Sequence, residues 1–447
     1  MKILKFLFIL VFIASSANSQ VIEITLKDAI RHAYNNSPVI IQTENSIEAQ
    51  ESNIRASYGN LFPNLNFSTG WTRTNQVIKA GTQNINGIVL TVPESDKTTD
   101  NFNLSLRSNV TLFDGFVNYD RVDLAKKNKT QLAIQLRKLK QDVALAILAD
   151  YLTVLKNEQI VTINEATLSD SRVQLDAVKV FVEVGRRTVS DIYRQDVVVA
   201  QNELAVEQAN NNLNKSISDL AFDSNLPMDK NYSVNKEEFN IRVPYETLEA
   251  YVSQNSNTDA IVKVALTNRY DYKASVQNLD ILETSIEIAR GSLIFPTLSG
   301  FGSYSLSGDK IDNINSQRVF TVGLTLTYPI FLGFSLDNQR QQTLINYKSA
   351  EEDLKQVKNQ ITLDIQKALL DLKSLLKQIE ITDRSLKNAE QNKLLAEESY
   401  RVGIGTLLDV NTAAVNLNNI LINKSNLIYD FILAQKTFEY YQGLLNY

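Results

Sequence analysis

At 447 residues, 44% hydrophobic and 21% charged, the chain is too apolar to be disordered and long enough for two or three ordinary domains. Its formal charge is −5 and no cluster of Lys and Arg stands out, which argues against nucleic acid as a partner. There is no cysteine and a single histidine, His32, so thiolate chemistry, Cys- or His-based metal clusters and a lipid-modified N-terminal cysteine are excluded.

The N-terminus reads as a secretory signal over residues 1–19. Lys2 and Lys5 precede the apolar run Phe6–Ala14, and Ala17-Asn18-Ser19 forms an A-x-A-like cleavage site before Gln20. Nine apolar residues are too few for a membrane anchor, which needs about 20. No later segment reads as a transmembrane helix, so an exported chain that enters a membrane must do so with strands.

Thr25–Ser57 carries a helical pattern, interrupted or begun near Pro38 and ended by Gly59-Asn60 and Pro63. The period then changes to two, predicting strands at about 64–75 and 101–113, with Gln76–Asp100 expected as a long loop. After Phe113-Asp114-Gly115-Phe116 comes a stretch of 69 residues, Phe116–Val184, without glycine or proline. It predicts a helix over 116–184 of about 100 Å at 1.5 Å per residue. Gly185 ends it, and Thr188–Asp223 reads as a further helix running back. Ser224–Asn257, bracketed by Pro227 and Pro244, reads as a small α/β insertion, with 229–258 as the linker.

The same order then repeats. Helix Ala260–Gly291 leads to Ile294-Phe295-Pro296-Thr297-Leu298, the counterpart of Leu61-Phe62-Pro63-Asn64-Leu65. Strands are predicted at about 297–307 and 318–331, a long helix at 334–402 after Phe331-Leu332-Gly333-Phe334, and a last helix at Thr406–Gln442. The landmarks Phe113, Gly185 and Asp191 recur 218 positions later as Phe331, Gly403 and Asp409. The chain is read as a duplication, with repeats at 20–228 and 259–447.

The strands alternate apolar with small polar residues. Phe102, Leu104, Leu106 and Val110 oppose Asn103, Ser105, Arg107 and Asn109, while Phe320, Val322, Leu324 and Leu326 oppose Thr321, Gly323 and Thr325. That suits lipid on one face and a wet lumen on the other. Two soluble hairpins on an apolar support would give a similar pattern. Helices this long, and aromatics near strand ends (Trp71, Phe113, Tyr328, Phe331), favour the membrane reading, with those four residues at the interface. Four strands cannot close a barrel; two chains would give eight with a filled interior, and three would give twelve with an open lumen. This count alone does not choose three copies over four.

Several landmarks in order resemble the TolC-like outer-membrane efflux protein family. They are Ala33-Tyr34-Asn35-Asn36-Ser37-Pro38, the two Phe-Pro strand entries, Leu112-Phe113-Asp114-Gly115, and Tyr400-Arg401-Val402-Gly403 through Leu408-Asp409-Val410. The resemblance implies a mainly α fold with a membrane β-barrel: a homotrimer whose 12-stranded barrel continues as a periplasmic α-helical barrel. It implies a passive exit duct of a tripartite efflux or type I secretion system, in the outer membrane and extending into the periplasm. The implied partners are a periplasmic adaptor, an inner-membrane transporter and outer-membrane lipid. The alternative is an exported coiled-coil spacer or adaptor without a pore.

Thr188-x-x-Asp191 and Thr406-x-x-Asp409 fit helix-start capping boxes, and Gly185 and Gly403 fit left-handed helix ends. The resemblance adds that these tips, with Gly185, Gly403, Thr188 and Thr406, dock the adaptor. It also places Asp191, Asp409 and Tyr400 at a periplasmic gate. In the family a basic residue occupies the position of Gly405, and a second acid that of Thr412. Arg186 and Arg187 of the first copy are the available substitutes, expected to pair with Asp409 or Asp191. No catalytic, metal or cofactor constellation is found, so the chain is not read as an enzyme.

Overall fold

The computed structural model describes residues 21–236, 239 and 243–445. The expected signal at 1–19 lies outside them. The chain is mainly α and folds as two compact units. One contains the chain up to Gln42, Leu136–Tyr270 and Lys358 onward; the other contains Thr43–Gln135 and Asp271–Val357.

Helices make up most of the chain. Strand β1 (Ile22–Ile24) leads into α1 (Leu26–Asn36), whose first turn is closed by Thr25 accepting the Asp28 N–H at 3.1 Å. Ser37 is extended and Pro38 opens α2 (Pro38–Gly59), because proline suits a first helical position but not an interior one. Helices α3 (Val117–Glu183) and α4 (Val189–Asp223) follow. Strand β6 (Tyr232–Val234) pairs in parallel with β1, and α5 spans Tyr245–Gln254. Helix α6 runs Thr258–Asn268, and α7 runs Tyr270–Ile294. The single helix expected over Ala260–Gly291 is therefore two. The break is at Arg269, extended like Ser37 but with no proline to announce it. Helices α8 (Ser335–Val402) and α9 (Leu407–Tyr441) complete the set. Of these, α2, α3, α7 and α8 all carry residues of the second unit.

The core of the first unit joins the buried stripe of α1 (Leu26, Ala29, Ile30, Ala33) to that of α3 (Ala144, Ile147, Leu148, Tyr151, Leu155). Spacings of three and four keep each stripe on one helix face. Tyr151 is fully buried, and its hydroxyl lies 3.2 Å from the Ile24 carbonyl and 3.0 Å from that of Asn235. One phenol thus ties α3 to the small β1–β6 sheet.

The second unit carries an antiparallel sheet in the order β2 (Asn64–Ile78), β5 (Ser95–Phe113), β7 (Thr297–Gly308), β8 (Gln317–Thr327). Register puts Phe67, Leu106, Tyr304 and Phe320 in one row, with Thr69, Leu104, Leu306 and Arg318 in the next. Side chains directly across a ladder share a face, so the apolar residues of all four strands form one continuous surface. Leu65, Phe67, Trp71, Phe320, Val322, Leu324 and Leu326 are each more than half exposed on it. The other face carries Asn66, Ser105, Ser303 and Thr321, with Phe301 laid against Gly323 beside the Arg107 guanidinium.

Three strand expectations are corrected. The loop expected at Gln76–Asp100 is mostly strand. β2 and β5 stay paired to Ile78 and Ser95, and β3 (Gly81–Ile85) with β4 (Ile88–Val92) forms a further hairpin. Its turn is Asn86-Gly87, both at positive φ (53° and 85°), the conformation a two-residue hairpin turn requires. β8 stops at Thr327 rather than 331, ahead of Pro329, so Tyr328 and Phe331 lie beyond the ladder. Trp71 lies in mid-strand rather than at a strand end, since β2 continues past the four-stranded region.

Phe113 contacts Phe116 and Phe295 edge-on, and Phe331 contacts Phe334 in the same way. Trp71 stacks on Phe102, and its indole N–H donates to Asp100, which also takes a two-pronged contact from Arg73. Phe116 and Phe334 have φ of 68° and 63°, a strained conformation for a bulky residue, repeated at the same strand-to-helix junction in both halves.

Candidate gate at the two helix tips

The α3–α4 turn is closed by backbone bonds. Gly185 sits at φ +74°, its N–H donates to Val182 O, and the Arg186 N–H donates to Phe181 O. In the α8–α9 turn Gly403 sits at φ +92°, its N–H donates to Tyr400 O, and the Ile404 and Gly405 N–H groups both donate to Ser399 O. Both are left-handed helix ends that a side chain would strain. A Cβ on either glycine would meet nothing within 4 Å, so it is the backbone conformation and not crowding that selects glycine here.

Each following helix starts with its Thr/Asp pair. Thr406 Oγ1 and N–H both donate to Asp409 Oδ2, at 2.7 and 3.0 Å, and Thr406 Oγ1 accepts the Asp409 N–H at 3.2 Å. These bonds hold the Asp409 carboxyl below the usual carboxylate range. Thr188 and Asp191 repeat the arrangement at 3.3 and 3.2 Å. The acids differ in exposure: Asp409 is solvent-exposed, whereas the side chain of Asp191 keeps only 16% of its accessible area.

The first tip grips the second. Arg187 Nη2 donates to Tyr400 O at 2.7 Å and lies 3.4 Å from Gly405 O, while its guanidinium stacks 4.2 Å from the centre of the Tyr400 ring. Arg187 thus supplies positive charge to the carbonyl end of α8, where the helix dipole favours it. The pairing expected between Arg186 or Arg187 and the two aspartates does not form within the chain. Arg186 lies over the Phe181 ring instead, and Asp191 is 4.0 Å from Arg194. Free carbonyls at a helix end accept a guanidinium without the cost of desolvating a carboxylate.

Tyr400 is buried in a cluster with Val178, Leu407 and Val410, flanked by Phe181, Val182 and Ile192. Burial pushes its phenol pKa up, with Arg187 opposing and Asp191 adding to the rise. Among the described residues its hydroxyl has no hydrogen-bond partner. Apolar residues at the tips are conversely exposed: Val184, Val189, Tyr193, Ile404 and Leu408. Val184, Ile404 and Leu408 stand among the sequence landmarks without a role of their own, and Val189 and Tyr193 do not; the signal for all five is a large apolar residue close to a glycine turn.

The sequence profile of the family described as "Outer membrane efflux protein" matches residues 29–222 and 261–439, most of the chain. The chain belongs to the outer membrane efflux protein family. It is an outer-membrane efflux channel, and the expectation of a pore-less spacer is set aside. Among curated members, the outer membrane protein TolC of Vibrio cholerae serotype O1 is 21% identical over 424 residues, 92% of this chain and 88% of the relative. Among solved folds, CusC superposes with a TM-score of 0.77 at 15% identity, over 94% of this chain and 92% of that one. The outer membrane channel CmeC of Campylobacter jejuni gives 0.73 at 16%, over 94% and 85%. The family is one of channel proteins and not of enzymes.

Proposed function

We propose that three copies of the chain assemble into a 12-stranded barrel continued by a helical tunnel. The tunnel is a passive exit duct that a periplasmic adaptor joins to an inner-membrane transporter, and it catalyses no reaction. The observation that carries this reading is the open four-stranded sheet. Its edge strands β2 and β8 pair with no other strand among the described residues, and its apolar face is exposed. Unpaired edges inside a bilayer leave backbone groups unsatisfied, so the sheet must close on other copies. Alternation of apolar and small polar faces matches lipid outside and a wet lumen inside.

At the helix tips, the exposed Asp409 carboxylates of three copies would converge as a ring drawing cations to the constriction. Arg187 and Tyr400 hold the two tips of each chain together, and the turns at Gly185–Thr188 and Gly403–Thr406, with exposed Ile404 and Leu408, present a surface to the adaptor.

The test is a heat-sensitive trimer in outer-membrane fractions that conducts ions in planar bilayers. A soluble periplasmic monomer would overturn the reading. For docking, Gly403→Leu should abolish export and adaptor co-purification while the trimer persists; retained export removes that tip from the docking surface.

A further inference from the structure

The polar face of the four-stranded sheet is nearly free of charge. Across the shared rows of β2, β5, β7 and β8 it consists of Asn, Gln, Ser, Thr and Gly, apart from Arg107, Phe301 and Val319. Arg107 is thus the only charged residue on that face of the four-stranded region.

Its surroundings hold the side chain without neutralising it. Arg107 Nε donates to Asn109 Oδ1 at 3.1 Å, and the guanidinium lies 5.7 Å from the centre of the Phe301 ring. Phe301 is itself seated on Gly323, where a Cβ would come within 2.8 Å of the ring. Arg107 is solvent-exposed, and among the described residues it has no ion-pair partner. The two terminal nitrogens, with four of the five N–H donors, are therefore available. On an outer surface such a cation would simply be hydrated. An arginine facing the bilayer interior is strongly disfavoured, so the face that carries Arg107 is the wet one.

We propose that Arg107 is a selectivity residue of the barrel, making its lumen attract small anions, such as carboxylates and sulfonates, and repel cations. This rests on the closed barrel of several copies, which would bring one Arg107 from each chain to the same level. No other charge on the face opposes it, and low-dielectric walls focus its field into the lumen. Its sign is opposite to that of the exposed Asp409 carboxylates.

The test reads the local potential with a thiol, which is unambiguous because the chain has no cysteine. Ser303 lies directly across the ladder from Arg107 on the polar face, and Val322 lies on the apolar face. Ser303→Cys and Val322→Cys are each made with Arg107 kept or changed by Arg107→Gln, in the full chain reconstituted in liposomes. Two methanethiosulfonate reagents of similar size are timed on each thiol, one bearing a sulfonate and one a trimethylammonium. Their rate ratio cancels any effect of the guanidinium on the thiol itself. A unit charge about 6 Å away across a ladder changes the local concentration of a monovalent ion about threefold in water. Screening at 0.1 M salt reduces this to about twofold. Opposite reagent charges square the factor, so Arg107→Gln should lower the sulfonate-to-ammonium ratio at the Ser303→Cys thiol about four- to tenfold. The difference should vanish at 1 M salt. Arg107→Lys should keep the wild-type ratio, and its loss there would mean that packing rather than charge sets it, against the proposal. An unchanged ratio in Arg107→Gln, on a Ser303→Cys thiol that does react, would overturn the proposal and leave the barrel standing. A Ser303→Cys thiol shielded from both reagents, or a Val322→Cys thiol equally open to them, would overturn the barrel and the proposal together.

Discussion

Among the described residues, Arg187 is the side chain of the first tip that donates hydrogen bonds to the backbone of the second, and its removal gives the sharpest prediction. The perturbation is Arg187→Met, which keeps an apolar stem against Tyr400 and deletes the charge. A charged donor on a carbonyl contributes about 1.5–3 kcal/mol, and a half-buried cation over an aromatic ring about 0.5–2 kcal/mol. The two share one guanidinium, held at 2.7 Å from Tyr400 O and 4.2 Å from the ring, so they do not add in full. A combined loss of about 2–4 kcal/mol corresponds to a roughly 30-fold to several-hundred-fold increase in opening of the second tip. The assay is amide exchange at Ile404 and Gly405, whose N–H groups are held by Ser399 O, run beside single-channel conductance in planar bilayers. Protection at these amides should fall by that factor while the helix interiors keep theirs, and mean conductance should rise. Arg187→Lys should fall between, since an ammonium keeps the charge but neither the planar stack nor the fork. Unchanged exchange and conductance in Arg187→Met would refute the clamp.

Two further predictions concern other regions. Asp150 of α3 is half-buried near Asp223 and Asp219 of α4; burial first, and then these carboxylates, push its pKa up to about 7, and its buried Oδ2 faces no donor. The unfolded value is about 3.9, so between those pH values the folded chain binds the extra proton and stability falls as pH rises through 7. The melting temperature should therefore be higher at pH 5.5 than at pH 8, and Asp150→Asn should flatten that difference; an unaltered pH profile in the variant would assign it elsewhere. In the sheet, a Cβ on Gly323 would lie 2.8 Å from the Phe301 ring, so Gly323→Ala should cost about 1–3 kcal/mol by overpacking. It should lower the temperature at which the oligomer dissociates on gels, and an unshifted transition would mean that Phe301 moves freely.

The parts legible in the sequence are those where one residue type permits one backbone. Long helices followed from two stretches without glycine or proline, and their ends from Gly185 and Gly403, because a left-handed turn selects glycine. Sheet faces followed from alternation. The hairpin β3–β4 was missed by weighting polar composition over Asn86-Gly87, a turn signal with a physical reason. The break at Arg269 carried no signal of that kind. Arg187 was recognised as a tip residue but given carboxylate partners, because charge is written in the sequence whereas an open carbonyl at a helix end is not.

The two tips of one chain are unequal, and the inequality has a direction. The first tip holds: it supplies Arg187 and keeps Asp191 mostly covered. The second is held: it supplies two carbonyls and leaves Asp409 exposed. Relocating the cation should not reproduce this clamp. A Cβ at Gly405 would sit 3.0 Å from both Ser399 Cβ and Tyr400 N, against backbone that cannot yield cheaply. In the double variant Arg187→Gln with Gly405→Arg, the new side chain would therefore push the second turn away from the Tyr400 cluster instead of drawing the tips together. The expected conductance is that of Arg187→Met or higher, with exchange at Ile404 equally fast. Restoration of wild-type conductance by the double variant would show that a cation in either tip suffices, and that the carbonyl acceptors of the second turn are incidental to closure.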